Sequence, residues 1–313
     1  MWRKRVLAFY YVWYGTPWGP FGAWRHWGVG DRPEKIIPPG IRDIEATHYP
    51  LDGVYDSGDE YVIRRHLMQA QRFSIDGFIV SWWGLKDYSH LVLEKILRLA
   101  PKDFITIYYE TAMTHGLRER NREKAIEKIY LDLLALAEKA VDEKAWMRVN
   151  GKPVFFIYIA ESYKVDEWRQ VRDKLEAAGH ELFLVGDTFK KEYLDVFDGL
   201  HTYNPIWITL RGRSFHEVYS KVAGEVKERG GLFAATVIPG CDDRKIRSPG
   251  VYIPREDGRY YVDGWRAAVE SGADWVLITT WNEWHEGTEI EPSIEYGFDY
   301  LYLTAEMAKV FKR

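Results

Sequence analysis

The segment Thr280–Glu291, TWNEWHEGTEIE, concentrates more chemically useful side chains than any other stretch of the chain. Glu283 and Glu286 stand three residues apart, so on a helical turn they share one face with Cβ atoms ~5–6 Å apart. Two carboxyl groups at that spacing can flank one glycosidic centre. Burial among Trp281 and Trp284 would raise the pKa of one, so that it stays protonated and donates while its neighbour accepts. A solvated acidic loop is the plain alternative, and two tryptophans argue against it. Asn282 and His285 in the same segment are read as substrate-side hydrogen-bonding or orienting groups, not as metal ligands. Glu289 and Glu291 lie beyond the turn and are expected to have surface or barrel-closing roles.

Other chemistries fit less well. No GxSxG elbow, HExxH or His-x-His occurs among the nine histidines, which removes the local signatures of a serine triad or a zinc site. A metal-dependent hydrolase would have to assemble ligands from distant loops, for example His26, His48, His201 and Asp242. No lysine falls inside a strand-like run, so a desolvated Schiff-base lysine is not expected. Cys241 is the single cysteine, which rules out an intrachain disulfide. No metal and no cofactor is therefore expected. Lys+Arg 43 against Asp+Glu 47 gives a formal charge of −4, with no basic field for nucleic acid. No apolar stretch approaches the ~18 residues of a membrane span. Arg3, Lys4 and Arg5 precede an apolar run, but it is short, rich in aromatic rings and followed by no small-residue cleavage site, so it reads as a strand and the expected address is cytoplasmic. Glutamine occurs only at 69, 71 and 170 and asparagine only at 121, 150, 204 and 282, a scarcity of amides that resembles thermophile composition.

A pair of acids needs a scaffold. Apolar runs rich in β-branched and aromatic residues fall at Val6–Tyr11, Gly77–Ser81, Phe104–Tyr109, Val154–Tyr158, Phe183–Gly186, Gly199–Thr202, Phe233–Ile238 and Trp275–Thr280. Helical periodicity is clearest at Glu60–Phe73, His90–Leu99, Asn121–Val141, Val165–Ala178, Phe215–Arg229 and Gly264–Ser271. Continuous rather than alternating strands imply burial on both faces, and their alternation with helices predicts one (β/α)8 TIM-barrel domain over 1–313, with long aromatic-rich βα loops. An open doubly wound sheet is the alternative, but no GxGxxG follows the first strand. A barrel keeps its chemistry at the strand C-terminal ends. There stand Tyr11 and Tyr14 after the first run, Trp83 after the second, Glu110 after the third, Tyr158 at the end of the fourth, Tyr203 after the sixth and the acid pair after the eighth. Aromatic residues make up 16% of the chain; collected at one rim they offer flat faces for sugar C–H surfaces. Glu110 would bind a sugar hydroxyl or pair with an arginine.

At these residues the chain resembles glycoside hydrolase family 99, the endo-α-1,2-mannosidase and endo-α-mannanase family. The resemblance runs through AFYYVWYG at 8–15, WRHWG at 24–28, HYPLDGVYDS at 48–57, IDGFIVSWWG at 75–84, NGKPVFFIY at 150–158, FDGLHTYN at 197–204, PGCDDRKIR at 239–247 and TWNEWHEGTEIEPS at 280–293. It implies a retaining, metal-independent barrel hydrolase acting inside α-mannoside chains of an oligosaccharide or polysaccharide. Glu286 would be the acid/base, and Glu283 would draw a proton from the sugar's 2-hydroxyl, which attacks the anomeric carbon to give a 1,2-anhydro sugar. By the same match Tyr11, Glu110, Tyr158 and Tyr203 would line the sugar subsites. The chain departs from the family at Val12, Val54, Cys241, Thr111-Ala112 and Tyr163. These positions lie in substrate-facing loops, so reaction type carries over further than sugar identity. A glycan-binding or biosynthetic barrel that hydrolyses nothing is the other reading. Oligomeric state is not legible.

Overall fold

The computed structural model describes residues 2–28 and 32–313; Met1 and residues 29–31 of the domain expected over 1–313 lie outside the described residues. The apolar runs form eight parallel strands: β1 Arg5–Tyr10, β2 Gly77–Trp82, β3 Ile105–Tyr109, β4 Lys152–Ile157, β5 Phe183–Asp187, β6 Gly199–His201, β7 Leu232–Val237 and β8 Trp275–Ile278. Each pairs with its sequence neighbours, from Leu7 beside Gly77 round to Ala234 beside Trp275, and β8 closes on β1 at Arg5 beside Trp275. The sheet is a closed (β/α)8 barrel.

Seven of the strands are followed by a long helix: α1 Glu60–Arg72, α2 Tyr88–Leu99, α3 Arg122–Asp142, α4 Val165–Ala177, α5 Phe215–Glu228, α6 Arg259–Glu270 and α7 Asp299–Phe311. Short polar side chains start several of them by accepting from orphan backbone N–H groups: Asp59 from Tyr61, Asp87 from Ser89, Asn121 from Lys124 and Ser214 from Glu217. Two differences from the expected pattern stand out. The connection from β5 to β6 holds only the 3₁₀ turn Lys191–Asp195 in place of a helix, and α7 was not visible in the periodicity. Phe298 precedes α7 without a side-chain cap, so no local start signal exists there. No helix among the described residues is long and apolar enough to cross a membrane.

Strand alternation divides the core in two. Val6, Ala8 and Tyr10 face the helices, whereas Leu7 and Phe9 fill the barrel together with Ile79, Tyr108, Phe156, Val185 and Leu277. His201 sits among Phe9, Tyr108 and Phe156, and burial pushes its pKa down to about 3, so it is a neutral packing ring. The inward parity runs on past the strand ends and delivers Tyr11, Ser81, Glu110, Tyr158, Asp187 and Tyr203 to the barrel mouth.

Glu289 and Glu291 are not surface residues. Both are buried, and both tie the last loop to the barrel wall, which is the barrel-closing half of the expectation. Glu289 Oε1 accepts from Arg255 at 2.5 Å and lies 2.8 Å from His48 Nδ1, while the Arg255 guanidinium lies 4.5 Å from each of the mutually perpendicular Tyr296 and Tyr300 rings. Glu291 joins His66 Nε2 at 2.7 Å and accepts from the Tyr55 hydroxyl at 2.7 Å. Sequence places these partners from 34 to 241 residues away, so a local reading sees only unpaired acids. Removing one member of a buried pair leaves the other charged in a dry site. Arg255→Met is expected to cost ~3–5 kcal/mol in denaturant unfolding, whereas Arg213→Met, which breaks an exposed helical pair with Glu217, should cost under ~1 kcal/mol; equal losses would contradict the buried-pair account.

Candidate active site

The chain leaving β8 is cross-linked before it reaches the acid pair. Trp281 N–H donates to the Phe9 carbonyl at 2.8 Å, and Thr280 and Ile290 exchange with Thr288 and Thr280 to fold 280–291 into a loop. Asn282 then clamps it to the end of β1: its Oδ1 accepts from Tyr11 N–H at 2.7 Å and its Nδ2 donates to the Tyr11 carbonyl at 2.8 Å and the Tyr55 hydroxyl at 3.0 Å. Tyr14 donates to the Asn282 carbonyl at 3.0 Å and accepts from Trp284 N–H at 3.1 Å. Between these ties Trp284–Glu286 makes a single 3₁₀ turn, ended by Gly287 in the left-handed region. A Cβ at Gly287 would meet the Asp242 backbone at 3.0 Å, so glycine is required on both counts.

The expected sharing of a turn by the two acids is therefore realised in tighter form, with Glu283 at its start and Glu286 at its end. Glu283 is buried, and its Oε2 makes no hydrogen bond among the described residues. Glu286 Oε1 accepts from Arg247 Nη1 at 3.2 Å and Nη2 at 3.1 Å, while its Oε2 is likewise buried without a partner. Asp243 Oδ2 holds the Arg247 guanidinium from the other side at 2.5 Å. Burial raises the pKa of both carboxyls; the Glu286 charge raises Glu283 further, and Arg247 pulls Glu286 back down. Arg247 lies in the PGCDDRKIR segment and was not singled out as a site residue; its only sequence signal was an arginine on a loop after β7.

Around the pair, Tyr11 donates to the Tyr203 hydroxyl at 2.7 Å, and charge on either Glu283 or Glu286 acts on both phenols. Tyr158 is half-buried and feels Glu110 and Glu286. Among the described residues Glu110 pairs with no arginine: it accepts from Ser81 Oγ at 2.7 Å, which in turn accepts from Trp83 Nε1 at 2.9 Å. Burial pushes the Glu110 pKa up to about 8, opposed by the Ser81 bond. His285 places Nδ1 3.8 Å from Glu283 Oε1 and bonds the His26 carbonyl through Nε2, so it props the turn. Trp13 stacks on His26 at 4.3 Å and joins Trp83 at the rim.

Not every predicted aromatic or amide reaches the cleft. Tyr14, Asn282, Trp281 and Trp284 are completely buried, and they brace the acid turn from beneath rather than offering it faces. Trp281 packs between Phe78 and His66 outside the barrel. The four distant metal-ligand candidates do not meet: His26 stacks on Trp13, His48 binds Glu289, His201 is in the barrel core and Asp242 pairs with Arg244. Among the described residues no three His, Cys, Asp or Glu side chains converge as a metal site. Asp187 was missed because the fifth run was ended one residue early. It is half-buried, accepts from Tyr203 N–H at 2.9 Å, Ile159 N–H at 3.1 Å and the Tyr108 hydroxyl at 3.2 Å, and desolvation raises its pKa to about 6. Inward parity with Val185 was the signal that could have found it.

Glu110 supplies a pH test. Its folded pKa of about 8 exceeds its ordinary 4.5, so folding binds a proton there; its contribution to stability is full below about 4.5 and is lost as pH rises through about 8. Glu110→Gln, which mimics the protonated form, should flatten that part of the stability-versus-pH curve. Parallel curves for the two proteins across this window would contradict the assignment.

Residues 2–308 match the family described as glycosyl hydrolase family 99. The chain is 27% identical over 326 residues to the glycoprotein endo-alpha-1,2-mannosidase of Rattus norvegicus, spanning 92% of this chain and 68% of the rat protein. It is 28% identical over 317 residues to the glycoprotein endo-alpha-1,2-mannosidase-like protein of Homo sapiens, with 92% and 68% covered. The fold superposes on the GH99 endo-alpha-mannosidase of Bacteroides thetaiotaomicron with a TM-score of 0.77 at 26% identity, over 98% of this chain and 97% of that one. With a closed barrel, a buried and a half-buried acid on one turn at its mouth and a family match along nearly its whole length, the chain belongs to glycosyl hydrolase family 99 and is a glycoside hydrolase.

Proposed function

We propose that the enzyme cuts within α-mannoside chains and retains the anomeric configuration, with Glu283 and Glu286 as the catalytic pair. The relatives are named for endo-α-mannosidase activity. The observation that carries the chemistry is the pair of buried carboxyl oxygens, Glu283 Oε2 and Glu286 Oε2, that the protein itself leaves unbonded on one turn. Buried polar atoms are ordinarily satisfied, and a sugar ring lying across the turn supplies what both lack.

In the proposed cycle Glu283 accepts the proton of the sugar 2-hydroxyl as O2 attacks the anomeric carbon. Glu286 protonates the departing glycosidic oxygen, and the product of this step is a 1,2-anhydro sugar. Water then attacks the anomeric carbon and gives its proton to Glu286, O2 recovers the proton from Glu283, and both carboxyls return to their starting states. An α-mannoside suits this path because its axial 2-hydroxyl lies opposite the leaving group. In the free enzyme Arg247 favours negative charge on Glu286, the reverse of the state the first step needs. Binding resolves this: a 2-hydroxyl donating to Glu283 favours its ionised form, and the proton of the pair then resides on Glu286. Tyr11, Tyr158, Tyr203, Glu110 and Trp83 are assigned to the sugar subsites. Tyr14, Asn282 and His285, expected to touch substrate, are assigned to positioning of the turn.

Glu283→Gln and Glu286→Gln should each lower kcat on an α-manno-oligosaccharide by about a thousandfold with little change in Tm. Glu286→Gln alone should recover rate on a substrate whose leaving group needs no proton. NMR of the first-formed product should show the α anomer, and a substrate blocked at O2 should not turn over. Near-normal rates in either variant, or a β anomer formed first, would overturn the assignment.

A further inference from the structure

A cavity of about 460 Å³ lies at the barrel mouth over the C-terminal ends of β4, β5 and β6. At ~30 Å³ per water it has room for roughly fifteen waters, ample for a sugar substituent. Asp187 lines it and also fixes the Tyr203 backbone, and its charge acts on Glu110 and Tyr158, so the cavity shares a wall with the acid-pair site. Its rim includes Ile159, a β-branched residue held at φ 38° with its N–H on Asp187 and 43% exposed as a whole residue. Such strain persists where surrounding structure enforces it, and it gathers at ligand clamps.

The charged side chains of the wall differ in how far they are engaged. Asp187 accepts the three donors named above, one at Oδ1 and two at Oδ2. Glu161 is engaged as well, Oε1 by Thr188 Oγ1 at 2.6 Å and Oε2 by Lys190 Nζ at 2.5 Å. Donors remain open. An ammonium has three N–H groups and a guanidinium five; Lys190 makes one ion pair, and Arg211 makes none among the described residues. Arg211 is instead laid over the Trp207 ring at 5.3 Å, on the short helix Ile206–Leu210 and the turn after it. The flat ring behind it limits the ways the guanidinium can point. A group that only accepts would find several open donors here.

We propose that this cavity is a subsite for an anionic substituent of the glycan substrate, a uronate carboxylate or a phosphate or sulfate ester, held by Arg211 with Lys190 while the acid pair acts on another ring of the same chain. The inference rests on the glycan-cleaving reading above and adds the charge of the preferred chain to it.

The test uses three matched α-manno-oligosaccharides, one neutral, one bearing a glucuronate and one a phosphate, with kcat and KM measured on the wild type, Arg211→Ala and Arg211→Lys. The wild type should show a KM about tenfold lower for an acidic chain than for the neutral one, the size of a charge-assisted contact, and this preference should shrink as salt is added. In Arg211→Ala the acidic-to-neutral KM ratio should rise to near one, and Arg211→Lys should keep part of the preference. Which acidic chain is favoured identifies the anion. Equal KM values for all three chains in the wild type, or an undiminished preference in Arg211→Ala, would overturn the proposal. Should none of the chains be cleaved, the catalytic reading fails by itself. Calorimetric titration of the same chains into the same proteins then decides the subsite: tighter binding of an acidic chain, lost in Arg211→Ala, upholds it, and no acidic preference refutes it.

Discussion

Two carboxyl groups on one short turn, kept out of water, cannot both carry charge without a large penalty. The structure around Glu283 and Glu286 is organised by that constraint. Arg247 relieves it on one side by binding Glu286. Among the described residues no cation bonds Glu283, and burial lowers the pKa of its neighbour His285. The result is a pair in which protons are held at a pH where isolated glutamates have lost them, with oxygens left open for a ligand.

Holding such a pair in place takes more material than the pair itself. Asn282 spends its amide on the end of β1 and on Tyr55, Tyr55 passes the link to Glu291, and Glu291 to His66 on α1. Arg255 binds the Gly287 carbonyl at 3.1 Å and the Glu289 carbonyl at 2.9 Å, gripping the far side of the same loop. The acid turn is thus fixed from both ends by buried polar contacts, which are costly to half-make and so enforce one geometry. This is the role of the long segment after β1: its tyrosines and Trp27 pack beneath the turn rather than merely covering it.

Much of this was legible in the sequence, and what was not has physical reasons. The strands were found because burial on both faces removes polar residues from them, and their inward alternation explains why Tyr11, Glu110, Tyr158 and Tyr203 stand at one rim. Boundaries moved by a residue or two, as at β8, which ends at Ile278 rather than Thr280. The wall provided by Asp187 was lost to such a shift. Glu289 and Glu291 were misjudged as partly surface residues because their partners, Arg255, His48 and His66, are neighbours only in space. Tyr14, Asn282 and Trp281 were rightly placed at strand ends, but composition cannot say whether a side chain at a strand end points into the cleft or under it. The roles of the two glutamates came from family resemblance; spacing alone supplied two acids and left their proton states open.

The proton inventory of the pair can be read directly. With glutamates labelled at the carboxyl carbon, NMR titration of the wild type, resolved by comparison with Glu283→Gln and Glu286→Gln, follows each group. The account predicts two separate steps, with at least one carboxyl still protonated well above the ordinary glutamate pKa of 4.5. Two independent titrations near 4.5 would show solvated, uncommunicating acids and would contradict it.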